Sequence, residues 1–153
     1  MTELRMIGPD DWRDWRDIRL RALADAPSAF GSVLAREQDF TEADWRQRTS
    51  CSVLVYDEGV PVAMGAGFEN EPGQLMVVAM WTEPDRRGQG LGGRVLDEIV
   101  SMARSLDVVP HLFVMRANPE AGRLYERHGF VRSGHLEDHG GREAEQLVFQ
   151  ADP

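Results

Sequence analysis

Lysine is missing from this chain: all seventeen basic residues are arginine. That absence excludes chemistry needing a lysine amine, such as Schiff-base catalysis and the phosphate-gripping lysine of P-loop nucleoside triphosphatases. Cysteine is nearly missing as well. The single thiol, Cys51, cannot form an internal disulfide, and it reads as a buried or incidental residue rather than a nucleophile. No apolar run approaches the ~20 residues of a membrane span. The first residues, Met1-Thr2-Glu3-Leu4-Arg5, lack the basic and apolar regions of a signal peptide, so the expected compartment is cytoplasmic, with no membrane partner. Positive charge is scarce: 17 basic against 26 acidic residues leave a net charge of −9, which argues against nucleic acid as a partner and mildly favours an amine-bearing one. Repeats, linkers and low-complexity tracts are absent too. A chain of 153 residues with 42% hydrophobic content is most simply one domain, 1–153.

What is present is a regular succession of short elements. Leu4-Arg5-Met6-Ile7 reads as an opening strand, and Pro9 starts a helix in which Trp12, Trp15, Ile18 or Arg19, and Ala22 or Leu23 fall at spacings of three and four. Asp25-Ala26-Pro27-Ser28 breaks it, and Ala29 to Phe40 has no clean period. Thr41-Glu42-Ala43-Asp44 resembles a capping box and predicts a second short helix to about Thr49. Ser52–Tyr56, Pro61–Phe68 and Leu75–Trp81, with short turns between them (the second from Glu69 to Gly73), predict an antiparallel meander. Leu91, Val95, Leu96, Ile99, Met102, Ala103 and Leu106 mark an amphipathic helix, and His111–Met115 the next strand. Asn118-Pro119 caps a helix that stops at Gly129, and Val131–Leu136 with Glu143–Phe149 predict a closing hairpin.

The stretch Arg86-Arg87-Gly88-Gln89-Gly90-Leu91-Gly92-Gly93 lies between a strand and a helix. A glycine-rich turn there exposes backbone N–H groups, the helix N-terminus adds partial positive charge, and the arginine forks suit phosphate oxygens. A phosphorylated cofactor is the expected ligand. Gly88, Gly90 and Gly93 satisfy the dinucleotide fingerprint, but an antiparallel meander precedes them and the next strand ends at Met115-Arg116 without the required acid.

Two motifs taken together point elsewhere. Arg87-x-x-Gly90-x-Gly92 resembles the [Q/R]-x-x-G-x-[G/A] loop of the GNAT N-acetyltransferases. Further along, Asn118-Pro119-Glu120-Ala121-Gly122-Arg123-Leu124-Tyr125 and on to Gly129-Phe130 is similar to that family's N-x-x-A-x-x-L-Y-x-x-x-G-F signature. The close match runs from Leu75 to Phe130. The resemblance implies an α/β (α+β) fold: a mixed, mainly antiparallel sheet of about six or seven strands flanked by helices. It implies acetyl-CoA as donor. The backbone of Met80, Trp81 and Thr82 would pair with the pantetheine arm, and N–H groups of Arg87, Gly88, Gln89, Gly90, Leu91, Gly92 and Gly93 would hold the pyrophosphate. Asn118 would contact the cofactor, unless it is only an N-cap, and Tyr125 would be the general acid that protonates the departing thiolate.

The resemblance also implies direct transfer of an acetyl group to a primary amine of a small molecule or peptide. Dimers are common among relatives, so a homodimer is admitted. The acceptor stays open among antibiotics, polyamines, amino acids and protein N-termini. Where some relatives carry a glutamate before the loop, this chain has Gln74-Leu75-Met76, and where others carry one on the following strand it has Phe113. Glu69, Glu71 and Glu83 read as surface carboxylates, so no base is assigned. That gap supports an alternative, a non-catalytic acyl-CoA-binding module on the same fold. His135, Asp138 and His139 read as a polar hairpin turn rather than a metal site, and no metal is expected. Trp12, Trp15 and Trp45 read as packing residues, with Phe30, Phe40 and Trp45 in the region that shapes the family's acceptor pocket.

Overall fold

A computed structural model describes residues 1–27, 30 and 32–150. In chain order the strands are β1 (Thr2–Ile7), β2 (Ser52–Asp57), β3 (Val60–Glu71), β4 (Gln74–Thr82), β5 (Val109–Met115), β6 (Phe130–Asp138) and β7 (Glu143–Phe149). The helices are α1 (Trp12–Asp25), α2 (Leu34–Gln38), α3 (Glu42–Gln47), α4 (Leu91–Ser105) and α5 (Pro119–Arg127). The described residues form one seven-stranded sheet in the order β1-β2-β3-β4-β5-β7-β6. Every neighbouring pair is antiparallel except β4 and β5, which run parallel.

Local chemistry accounts for most elements. Gly8 N–H donates to Asp11 Oδ2 at 3.0 Å, and Pro9 opens a 3-10 turn that feeds α1. The capping box is present as expected: Asp44 N–H donates to Thr41 Oγ1 at 3.2 Å, and Thr41 N–H to Asp44 Oδ2 at 2.9 Å. Asn118 Oδ1 accepts from Ala121 N–H at 3.3 Å, and Gly129, at φ +97°, ends the last helix. The unperiodic segment before Phe40 contains α2, a short helix; Ser28, Ala29 and Gly31 lie outside the described residues.

The sheet is covered on both faces, which explains why β2 is buried along almost its whole length instead of alternating. Val53 and Val55 point to α4, in a core with Val95, Leu96, Ile99 and Leu112, against which Ala121 and Tyr125 of α5 also pack. Leu54 and Tyr56 point the other way, into a second core with Trp12, Trp15, Ile18 and Trp45 from α1 and α3. Each fully buried Leu, Ile or Val contributes ~1.5–3 kcal/mol relative to exposure, so both layers stabilise the sheet between them.

Three expectations shift. β3 runs on to Glu71 because cross-strand pairing with Gln74 carries it through the segment that reads as a turn. Glu137 and Asp138 belong to the end of β6, not to the turn. Leu106 lies past the end of α4, where the chain turns at Asp107 (φ +58°), and is 57% exposed instead of buried.

Candidate active site

The site begins where β4 and β5 part. Their parallel pairing covers only Gln74↔Val109, Leu75↔Pro110 and Met76↔His111. Past that point β5 pairs with β7 alone, through His111↔Val148 to Met115↔Ala144, and β4 pairs with β3 alone. Among the described residues, the β4 edge from Val77 to Thr82 that faces β5 therefore has no strand beside it. A run of unpaired backbone groups along an open edge can accept an extended ligand as an added strand. The bend in β4 has a local cause: between Met64↔Trp81 and Ala66↔Val78 one extra residue enters β4, and Ala79 sits at φ +60°. A non-glycine residue in that region costs ~1–3 kcal/mol, and such bulges re-aim a strand.

The gap opens into a cleft of about 830 Å³. Its floor is Met76 to Met80 from β4 with Leu112, Phe113 and Met115 from β5. Tyr125 lines it from α5. Arg19 of α1 and Phe30 also line it, as do Glu137, His139 and Arg142 of the β6–β7 hairpin. The Tyr125 ring is half-buried, edge-on to Phe130 at 6.3 Å between centroids. Burial pushes its phenol up to about 12, and among the described residues its hydroxyl has no hydrogen-bond partner.

At the far end of the open edge stands the glycine-rich loop. Gly88 and Gly90 adopt φ of +82° and +80°, and Gly90 is the left-handed N-cap of α4, with no side chain to cap the helix. Among the described residues, no acceptor meets the backbone N–H groups of Gly88 to Gly93, and Arg94 N–H makes the first bond of the helix, to Gly90 O at 3.1 Å. Unpaired N–H groups at a helix N-terminus are an anion site. Leu91 is buried, so only its backbone faces the loop's open side. Gly93 packs closely, since a Cβ there would come within 2.7 Å of His128 Nε2, whereas one at Gly92 would meet Thr82 Oγ1 at 3.6 Å, an ordinary contact.

Several predicted side chains are engaged within the protein. Arg86 pairs with Asp57, while Arg87 donates from Nε to Thr82 O at 3.0 Å and from Nη2 to Asp25 Oδ2 at 3.1 Å. Carboxylates from β2 and α1 thus pair each guanidinium within the protein, while among the described residues the loop's backbone donors are left free. The Trp81 side chain is buried away from the cleft, its Nε1 donating to Asp25 Oδ2 at 3.0 Å; Met80 lines the cleft. The Asn118 oxygen serves as helix cap. Of the carboxylates weighed as bases, Glu83 pairs with Arg21 and Glu69, on the exposed end of β3, accepts from Gly73 N–H at 3.3 Å. Phe30 reaches the cleft, whereas Trp45 is core, with Phe40 edge-on to it at 5.2 Å. His139 reads in the sequence as a polar turn residue, and Arg19 and Glu137 carry no site signal there, since only the folded sheet sets them around one space. Among the described residues no cluster of three or more ligating side chains suits a metal ion, and no helix is long and apolar enough to cross a membrane.

Comparison with known proteins agrees with this geometry. The family model for the acetyltransferase (GNAT) family matches residues 11–130. Comparison with curated protein sequences returns no match. Among solved structures, the chain is similar to an acetyltransferase of the GNAT family from Streptococcus pneumoniae, at 15% identity and a TM-score of 0.78, covering 98% of this chain and 100% of that one. It is similar to the PaiA N-acetyltransferase from Thermoplasma acidophilum in complex with coenzyme A, at 10% identity and a TM-score of 0.70, over 97% and 99% of the two chains. It also resembles the ribosomal-protein-S18-alanine N-acetyltransferase from Escherichia coli, at 19% identity and a TM-score of 0.68, over 97% and 93%. At such identities the likeness is one of fold.

Proposed function

Because this chain belongs to the GNAT family of acetyltransferases, we propose that it moves an acetyl group from acetyl-CoA directly to a primary amine of a small molecule or peptide. The observation that carries this reading is the open β4 edge, with a free helix N-terminus at one end and Tyr125 in the cleft beside it. A pantetheine arm fits such an edge as an added strand along Met80, Trp81 and Thr82. A pyrophosphate fits the N–H groups from Gly88 to Gly93, and the coenzyme A and N-acetyltransferase descriptions of two fold neighbours support the same ligand and bond.

A thioester carbonyl lying against unpaired β4 N–H groups gains stabilisation as negative charge develops on its oxygen, because those donors are already oriented. The amine attacks as the neutral base, the C–S bond breaks, and the Tyr125 hydroxyl protonates the sulfur. The test is release of CoA thiol from acetyl-CoA across polyamines, aminoglycosides, amino acids and peptide N-termini. Release above hydrolysis with one class establishes the transfer and names the acceptor type. Tight acetyl-CoA binding with no release across the panel overturns the proposal in favour of a non-catalytic acyl-CoA-binding module.

A further inference from the structure

We propose that His139 is the base that takes the proton from the acceptor ammonium, with Glu137 as the residue that positions it. The inference rests on the amine-acetylation reading above and supplies the group that reading lacks.

The β6–β7 hairpin is built to hold His139 still. His139 N–H donates to Arg142 O at 2.7 Å, and Arg142 N–H returns to His139 O at 3.3 Å. Between them Gly140 and Gly141 both take positive φ, +65° and +85°, the signature of a type I′ turn, whose twist matches its strands. The imidazole packs on Phe113 of β5, ring centroids 5.2 Å apart, so it stands on the wall of the cleft that Tyr125 lines.

The Glu137 carboxylate fixes the tautomer. Its Oε1 lies 3.1 Å from His139 Nε2 and its Oε2 lies 3.1 Å from His135 Nε2. Hydrogen bonds from His139 and then His135 hold the Glu137 carboxyl below the ordinary glutamate range, so it is ionised and only accepts. Each facing Nε2 therefore carries the hydrogen, which leaves Nδ1 of His139 with the lone pair. Among the described residues that nitrogen has no hydrogen-bond partner. The other charged side chains lining the cleft are Arg142, at the far end of the turn, and Arg19 of α1; Glu143 at the start of β7 is taken by Arg116 at 2.6 Å.

The proton balance closes. Nδ1 of His139 takes one proton from the alkylammonium, giving an imidazolium stabilised by Glu137. The freed nitrogen lone pair forms the C–N bond, and the C–S electron pair leaves on sulfur, which takes the Tyr125 proton. The second nitrogen proton restores Tyr125, and His139 gives its proton to water. The products are the amide, CoA thiol and one proton.

The test is the pH profile of kcat/KM for wild type, His139→Gln and Glu137→Gln, with the primary amine that gives the highest rate in the panel above. The expected result for His139→Gln is a fall in kcat of ~10²–10⁴-fold, the usual worth of a general base. The acidic limb should move towards the pKa of the amine while the KM for acetyl-CoA holds. Glu137→Gln should lower kcat by less, and added imidazole should restore His139→Ala. A wild-type profile and kcat in His139→Gln would overturn the assignment while leaving the acetyltransferase reading intact. Wild-type protein that binds acetyl-CoA yet releases no thiol with any amine would overturn both.

Discussion

Met76 on β4 and His111 on β5 are the last registered pair between the two parallel strands, and beyond them the cleft begins. His111 is 4% exposed, with Nε2 at 3.0 Å from Asn70 Oδ1 and Nδ1 at 3.3 Å from Gln146 Nε2. A carbonyl oxygen on one side and an amide donor on the other satisfy a neutral ring with hydrogen on Nε2. The junction of the splay is thus held by an uncharged imidazole.

Burial lowers the His111 pKa against the opposing pull of Glu71 and Glu137. Below the ordinary histidine value of ~6.5 the unfolded chain binds a proton that the folded protein resists. Stability contributed here is present above that value and lost as pH falls through the window down to the lower folded value. His111→Gln should flatten the dependence between those limits. Urea midpoints measured at a series of pH values check it; an unchanged slope would show that His111 does not titrate with unfolding.

Gly90→Val places a β-branched side chain at φ +80° at the start of α4. Left-handed backbone costs an ordinary residue ~1–2 kcal/mol, which corresponds to roughly 5–30-fold in affinity if the loop relaxes out of its N–H-presenting shape. Calorimetric titration with CoA should show that weakening while the far-ultraviolet dichroism stays native. Undiminished affinity would remove the loop from the binding site.

Tyr125→Phe keeps the ring packed on Phe130 and removes only the hydroxyl. Held up to about 12 by burial, that phenol keeps its proton through neutral pH. A thiolate formed in the same water-poor space is raised by the same desolvation, which preserves the driving force for proton transfer. The expected loss is ~10²–10⁴-fold in kcat with little change in the KM for acetyl-CoA. Steady-state kinetics on the variant decide it, and an unchanged kcat would take Tyr125 out of the mechanism.

Arg19 binds Glu37 through two parallel contacts, Nε to Oε1 and Nη2 to Oε2, both at 3.0 Å. Glu37 is 3% exposed. Burial alone would raise its pKa, but the hydrogen bonds from Arg19 and Ser32, with the charge of Arg19, outweigh that and leave it lowered. Its contribution is therefore present above the unfolded glutamate value and lost as pH falls through the folded one. Glu37→Gln strands a buried guanidinium and should cost ~3 kcal/mol. Denaturant unfolding at neutral pH measures this, and the paired change Arg19→Met with Glu37→Leu should recover part of the loss.

What the sequence determined by itself is local or periodic. The spacing of Trp12, Trp15, Ile18, Ala22 and Leu23 on one helical face, the Thr41 box and the Asn118-Pro119 cap each rest on residues within a few positions of one another. So does the glycine turn before α4, and these elements carry the loop and Tyr125 that the two motifs single out. Tertiary structure decided what depends on distant partners. The insertion of β7 between β5 and β6 and the end of the β4–β5 ladder at Met76 arise from register between strands with a helix between them in the chain, and the bulge at Ala79 from the register of the β3–β4 hairpin. The same holds for charge. Arg86 and Arg87 look available in sequence until the sheet delivers Asp57 and Asp25 to them. His139 looks like a solvated turn residue until the hairpin folds back beside β5 and stands it in the cleft with Tyr125.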